Sequence, residues 1–398
     1  MCPGPDSNLK MEDRQELSKA GYTHVTGTPK PQPIPKPQFT LSELKAAVPA
    51  HCFERNMVKS FGYLAWDLLV CSVLFYGVYV VLELMSLPLI FKVPAYLVYW
   101  FVQGSYMAGI WVIAHECGHQ AFSSNHIVND IVGLILHSAL FVPYHSWKIT
   151  HRRHHSNTGS CENDEVFVPY SQSSVKPTWS ETLEDSPLYN LYRIVAMLLV
   201  GWMPAYLCFN AYGPMKYRNS ESKSHFNPYA QFFLPKERMS IILSDVAFAA
   251  AALTLGYFIY TYGFALVFKL YLAPYLVTNA HLVLITFLQH TDTYIPHFRE
   301  GEWTWLRGSL CTVDRTFGTW LDGVLHHIVD THVCHHIFSK MPHYNATEAT
   351  EALRPILGQY YLKDTTPVFS ALWRAFTHCK FVPDDGKVVF YQKNMKDM

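Results

Sequence analysis

Four apolar stretches long enough to cross a bilayer, at about 61–82, 95–114, 241–260 and 270–289, dictate most of what this chain can fold into. A hydrocarbon core needs roughly 20 apolar residues of helix. Backbone inside it must satisfy its own hydrogen bonds, which leaves helices or closed barrels. Unbroken apolar runs of this length read as helices. They pair into two hairpins, turning near Ser86-Leu87-Pro88 and near Gly263. Two further stretches, 127–142 and 193–212, are apolar but interrupted, the second by Gly201-Trp202-Met203-Pro204, where proline breaks a helix.

Eight histidines stand in three boxes around these stretches: His115-Glu116-Cys117-Gly118-His119, His151-Arg152-Arg153-His154-His155 and His332-Val333-Cys334-His335-His336. Helical positions i, i+3 and i+4 share a face, so each box aims its imidazoles one way. If the boxes meet, they lie on one side of the membrane. Two complete hairpins allow this, whereas one additional span would carry the third box to the other side. The stretches 127–142 and 193–212 are therefore expected to be interfacial or re-entrant. Lys148, Arg152, Arg153, Lys216, Arg218, Lys236, Arg238, Arg299, Arg307 and Arg315 fall on the box side, against Lys92 and Lys269 opposite. That asymmetry predicts boxes facing the cytosol.

Composition agrees with a membrane protein: 50% of the 398 residues are hydrophobic and 16% charged, against about 25% charged in soluble domains. Zero formal net charge and the lack of a basic run argue against nucleic-acid binding. Nine scattered cysteines without a Cys-x-x-Cys pair predict no disulfide framework and a reducing compartment. The first 50 residues are polar, so no signal peptide is expected. Residues 1–38 read as a flexible polar, proline-rich tail, 39–392 as the catalytic unit and 393–398 as a C-terminal tail. Thr40-Leu41-Ser42-Glu43 resembles a capping box, opening a helix that Leu41, Leu44 and Val48 would lay on the membrane surface. The expected fold is all-α: four transmembrane helices in two hairpins, with a cytosolic helical cap.

A catalytic zinc takes three protein ligands plus water; eight imidazoles exceed that and suit two irons. Imidazole itself serves iron, zinc, copper or nickel, so the count and the lipid setting must decide. A methylene in an acyl chain has no acidic proton and no electrophilic carbon, which leaves oxygen chemistry at a metal. Candidates for a ninth ligand are His290, at the end of the fourth span and the preferred one, and His326, six residues before the third box. Glu116, Asp164, Glu165 and Asp330 could accept ligand N–H groups or be solvated. Cys117 and Cys334 are expected to pack behind the ligands. His137, His145, His225, His281, His343 and His378 read as structural or surface residues, and the aromatics of 96–100 and 303–305 as interface anchors.

Two other metal readings compete. The first box satisfies His-Glu-x-x-His, the zinc protease pattern, and Leu321-Asp322-Gly323 resembles the ligand segment of intramembrane metalloproteases; that reading leaves six box histidines idle. A ferritin-type site needs a second Glu-x-x-His motif, and no match stands at a suitable place. A non-catalytic metal-binding scaffold would show metal without turnover.

The boxes with their flanks resemble the membrane fatty acid desaturases, and within them the delta-12 (oleate) desaturases of the endoplasmic reticulum. The resemblance rests on 114–123, on Pro143-Tyr144-His145-Ser146-Trp147 through Gly159, and on 330–339 with Met341-Pro342-His343-Tyr344. Segments 285–292 and Cys311-Thr312-Val313-Asp314-Arg315 also look like family signatures. It extends from about residue 40 to 392. It implies a multi-pass enzyme of that membrane with two non-haem Fe ions, using O2 and electrons from NADH through cytochrome b5 and its reductase. The chemistry implied is a cis double bond at carbons 12–13 of oleoyl chains, carried on a membrane lipid or coenzyme A. The iron ligands implied are His115, His119, His151, His154, His155, His332, His335 and His336. Hydroxylases and omega-3 desaturases share this scaffold and stand as alternatives. No His-Pro-Gly-Gly haem motif is present, so a separate electron donor is expected, and a narrow apolar tunnel should end beneath the boxes.

Overall fold

A computed structural model of the chain describes residues 23–25, 35–175, 183, 186–217, 220 and 222–393. Most of the tail expected over 1–38, the C-terminal tail beyond Lys393, and Arg218 lie outside the described residues. Helix α1 (Leu41–Ala47) opens at the anticipated capping box, with the Thr40 N–H donating to Glu43 Oε2 at 2.6 Å and the Glu43 N–H to Thr40 Oγ1 at 3.3 Å. Its apolar face is turned mainly inward, with Leu41 alone of the three expected residues exposed. Leu44 and Val48 are buried with Val333, Ile337 and Leu353, so α1 closes the core behind the third box.

The four expected spans are helices α2 (Met57–Leu84), α3 (Leu89–Gly118), α7 (Pro235–Tyr262) and α8 (Phe264–His290). Between them lie α4 (His126–Ala139), α5 (Tyr144–Asn157) and α6 (Pro187–Phe209). Among the described residues five helices, not four, are long and apolar enough to cross a membrane, α6 being the fifth. It is not straight: Met203, just before Pro204, has the extended values φ −120° and ψ 118°, which interrupts the hydrogen-bond ladder. The 127–142 stretch forms α4, which meets α5 at a bend of 108°.

Helices α3 and α8 form the buried centre, while α2 and α7 lie outside them and expose apolar side chains such as Val73 and Leu253. Close approach of α3 and α8 requires Gly104, because a Cβ there would stand 2.6 Å from the Pro274 carbonyl oxygen. The Thr278 hydroxyl donates to the Gly104 carbonyl at 3.0 Å, and Ser105 Oγ lies 3.0 Å from His281 Nε2. At the end far from the boxes, the Tyr99 hydroxyl donates to the Leu270 carbonyl (2.7 Å) and the Trp100 indole to that of Lys269 (2.8 Å). Glu83 pairs there with Lys269 and Tyr96. The aromatics of 96–100, expected as interface anchors, thus tie the two hairpins together. Trp303 likewise serves the cap, donating to the Thr158 carbonyl at 3.0 Å.

The cap contains α9 (Trp305–Ser309), α10 (Thr319–Val324), α11 (His332–Ile337), α12 (His343–Leu357) and α13 (Val368–His378). It is not purely helical. Strands β1 (Thr23–Val25), β3 (Asp314–Arg315) and β4 (Leu362–Asp364) form a parallel sheet in the order β1-β4-β3, and β2 (His297–Phe298) pairs antiparallel with β5 (Val388–Val389). A piece of the expected tail therefore docks on the cap. Beside this sheet Arg315 and Arg374 share Asp292 and Asp364, all buried, with contacts of 2.5–3.3 Å and the charges balanced. The eight described cysteines are free, as the sequence predicts.

A balanced buried cluster tolerates the loss of one partner poorly. Arg374→Met, which leaves two carboxylates on one guanidinium, is expected to cost about 3–5 kcal/mol. The measurement is the unfolding midpoint in detergent; an unchanged midpoint would contradict the role given to this cluster.

Candidate metal centre

Four helices deliver nine histidines to one place. His115 lies in the last turn of α3 and His119 caps its C-terminus, one turn apart, as the i, i+4 spacing requires. His151, His154 and His155 lie on α5, and His332, His335 and His336 on α11. His290 is the last residue of α8. Ligand atoms of His115, His119, His151, His155 and His335 lie within 4.8 Å of one another, and so do those of His154, His290 and His336. His332 joins the second set through His290, at 3.1 Å between Nε2 atoms. The sets abut where His155 and His336 stack at 4.1 Å.

The spacing fits metal ions. Two imidazole nitrogens bound about 2.1 Å from one ion, at angles between octahedral and tetrahedral, stand about 3.0–3.4 Å apart. The Nε2 atoms of His115 and His119 are 3.2 Å apart, those of His151 and His155 3.2 Å, and those of His154 and His290 3.4 Å. The buried Nε2 atoms of His335 and His336 have no hydrogen-bond partner. Such orphans are costly unless a cation takes the lone pair.

Outer contacts fix which nitrogen is left for that cation. Asp164 accepts His154 Nδ1 at 2.7 Å, and is itself held by the Gly159 N–H (2.9 Å) and the Glu165 N–H (2.7 Å). His332 Nδ1 reaches the Ile328 carbonyl at 3.1 Å, and His336 Nδ1 the Thr158 hydroxyl at 3.2 Å. Each contact leaves Nε2 pointing inward. Asp314 holds the third box from behind, accepting the Val333 N–H at 2.7 Å and the Tyr361 hydroxyl at 2.7 Å. Burial, reinforced by neighbouring imidazoles, keeps His119, His151, His155, His335 and His336 well below the ordinary histidine range and His332 at about 3. They are neutral, the form that binds metal.

Other candidates lie elsewhere. His326 is outside the cluster: its Nε2 pairs with Asp67 of α2 at 2.7 Å. Asp330 takes His327 Nδ1 at 3.1 Å, not a box histidine. Glu116 Oε1 is 3.6 Å from His115 Nδ1, beyond hydrogen-bond reach, while its Oε2 accepts the His343 N–H at 3.0 Å. Glu165 is buried without touching a box imidazole, and burial pushes its carboxyl up to about 7. Asp322, which the protease reading requires as a ligand, accepts the Phe317 N–H at 2.7 Å and stands outside the cluster. Cys117 and Cys334 are buried beside the boxes but outside both imidazole groups.

A cavity of about 470 Å³ opens on His115, His151, His154, His290 and His332. Its inner wall is apolar, with Val112, Leu282, Val283 and Ile285 among the lining residues. Trp147 stacks on His151 at 4.6 Å and Trp111 on His115 at 5.7 Å, so two indoles form the wall nearest the cluster. His137, read from the sequence as an isolated histidine, is buried against both indoles. Sequence spacing does not mark Trp111, Trp147, Thr158 and Asp314 as site residues. Trp147 and Thr158 sit within the box-two flank and Asp314 in the 311–315 signature, but their contacts cross between elements and have no short-range spacing to reveal them.

A sequence model of the fatty acid desaturase family matches residues 92–367. The chain is 47% identical over 368 residues to a Delta(12)-acyl-lipid-desaturase of Punica granatum, covering 91% of this chain and 93% of the relative. It is 47% identical over 366 residues to an omega-6 fatty acid desaturase, endoplasmic reticulum isozyme 2, of Glycine max, with 91% and 93% covered. It is 48% identical over 368 residues to an oleoyl-12-hydroxylase of Ricinus communis, with 91% and 92% covered.

Two outcomes are expected. Asp164→Asn should weaken metal retention about 10–100-fold, measured by chelator competition; unchanged retention would remove Asp164 from the site. Unfolded histidines titrate near about 6.5, whereas these stay neutral in the fold. Stability of the metal-free protein is thus full above about pH 6.5 and falls as pH drops below it. A midpoint that stays flat between about pH 7 and 5 would contradict this.

Proposed function

The chain belongs to the fatty acid desaturase family, and we propose that it places a cis double bond at carbons 12–13 of oleoyl chains to give linoleoyl chains. The observation that carries this reading is the apolar cavity that opens on five of the nine converging histidines. An acyl chain fits such a slot, and a methylene there has nothing for acid–base or nucleophilic chemistry to act on. Two irons are proposed as the metals, one on His115, His119, His151, His155 and His335, the other on His154, His290, His332 and His336. Bound there, they would supply oxygen-dependent oxidation driven by electrons from NADH through cytochrome b5 and its reductase.

The chain's own residues do the positioning. Asp164, Thr158 and the Ile328 carbonyl hold three imidazoles by Nδ1. Trp111 and Trp147 confine the chain beside the cluster, and the apolar lining excludes water from it. The floor is narrow at Gly201, where a Cβ would stand 3.3 Å from Val283 Cγ2 and 3.6 Å from Met197 Cγ.

Four crossings are proposed, with α4, α5 and α6 kept on the box side. His154 precedes α6 and His290 follows both α6 and the second hairpin, yet they touch, which an additional full crossing between them would prevent. The interruption at Met203 supports a helix that enters the bilayer and returns. Basic residues on the box side favour the cytosol, and the soybean relative's name favours the endoplasmic reticulum.

A second reading, an oxygenating variant of the same site, is favoured by the Ricinus hydroxylase relative. Gas chromatography with mass spectrometry of a yeast that makes oleate but no polyunsaturates separates them. Linoleate is expected from the wild type and none from His154→Ala or His335→Ala; a hydroxylated acid would select the second reading. Linoleate from either variant would remove the metal assignment. Gly201→Leu should fill the floor and lower turnover of 18-carbon relative to 16-carbon monounsaturated chains about ten-fold. An unchanged ratio would show that the floor does not set chain fit.

A further inference from the structure

A second set of ligand types meets on the cap, apart from the nine histidines. His51 and Cys52 are neighbours on a one-turn helix (Ala50–Phe53) between α1 and α2, and Glu348 lies on α12. One nitrogen, one sulfur and one carboxylate oxygen from these three residues all lie within 4.8 Å of one another. His51 Nε2 stands 3.0 Å from Glu348 Oε2 and 3.7 Å from Cys52 Sγ. A single ring nitrogen therefore faces both partners. A nucleophile–base–acid relay would divide them between the two nitrogens of the ring, and a plain His51–Glu348 ion pair leaves the place of the thiol unexplained. A cation shared by the three atoms accounts for both contacts. Around zinc, sulfur at about 2.3 Å and nitrogen at about 2.1 Å stand about 3.6 Å apart, and nitrogen and oxygen about 2.9–3.4 Å apart. Backbone contacts fix the turn. Asn345, on the same face of α12 as Glu348, donates its side-chain amide to the carbonyls of Cys52 (3.1 Å) and His51 (3.4 Å). The Cys52 N–H donates to the Pro49 carbonyl at 2.9 Å. Cys52 is buried in the apolar cluster that contains Val333, Cys334 and Ile337, whereas the side chains of His51 and Glu348 are more than half exposed.

We propose that His51, Cys52 and Glu348 form a second metal site, which holds one zinc ion and takes its fourth ligand as water from the exposed side. Mixed sulfur, nitrogen and oxygen ligands in a tetrahedral set suit zinc, whereas magnesium and calcium call for oxygen alone. On binding, the Cys52 thiol releases its proton to solvent and a sulfur–zinc bond takes the place of the sulfur–hydrogen bond. Burial, and then the Glu348 charge, push that thiol up, and the cation offsets the repulsion between the thiolate and the carboxylate. The ion ties the turn that leads into α2 to α12, the helix that follows box three. The site does not depend on what the chain does at the nine-histidine centre.

The probe is cobalt(II), titrated into the full-length protein whose nine-histidine centre is already loaded with iron. A cobalt–thiolate bond gives an ultraviolet charge-transfer band, and neither imidazole group of that centre contains a cysteine. One equivalent of cobalt is expected to saturate the band in the wild type. Zinc should then abolish it, and a large excess of magnesium should leave it in place. Cys52→Ser should remove the band. Because a buried substitution can disturb folding, the exposed partners supply the second measurement: His51→Ala and Glu348→Gln should each weaken cobalt binding about 100-fold or more, since losing a ligand costs at least as much as losing an outer contact. A wild type without the band, or a band that survives Cys52→Ser, would overturn the site. Affinity unchanged in both exposed variants would show adventitious binding to a thiol and overturn it equally, as would displacement by magnesium as readily as by zinc.

Discussion

Nine imidazoles brought into one buried volume, several with ring nitrogens 3.1–3.4 Å apart, form the constraint on which the rest of the fold depends. Facing lone pairs in a dry interior are unfavourable without a cation between them. Four separate helices must therefore bring their histidines to the same height. That requirement governs the hairpins, because His115 and His290 can meet box two only if α3 and α8 both run toward the cap. It also explains why these two helices are the buried pair, packed through Gly104, while α2 and α7 are the outer ones.

The cap turns that convergence into geometry. Box three is a six-residue helix, too short to hold its own direction. Asp314 takes the Val333 N–H, Arg315 sits in the buried cluster with Asp292, Asp364 and Arg374, and α1 packs Leu44 and Val48 behind Val333. Asp292 follows His290 by two residues. The same ion cluster therefore locks the end of α8 and the approach to α11, the two elements that supply His290 and His332. Its value lies in registering ligands, since buried ion pairs add little net stability over apolar packing.

Much of this was legible in the residues. Helix spacing inside the boxes gave eight histidines, and position at a span end singled out His290 over His326. Apolar length gave the four long helices of the two hairpins. What was not legible depended on contacts between distant segments. His326 stands as near to box three in sequence as a ligand might, but Asp67, 259 residues away, draws it toward α2. Asp330 is nearer still and turns to His327. The capping box at Thr40 was readable because it is local, whereas the partner of Leu44 was not. Apolar length made α6 a fifth candidate, and the interruption at Met203 is a feature that length does not register. The aromatics of 96–100 have the composition of interface anchors yet tie two hairpins, since composition does not say which surface a residue meets.

The division of the imidazoles into five and four is the central claim, because chemistry, topology and positioning all follow from it. Mössbauer spectroscopy of the protein purified with enriched iron, together with metal analysis, tests it most directly. The expected result is close to two irons per chain in two inequivalent nitrogen-rich sites, with His290→Ala disturbing one signal more than the other. One iron per chain, a single zinc, or two indistinguishable irons unaffected by loss of His290 would contradict it.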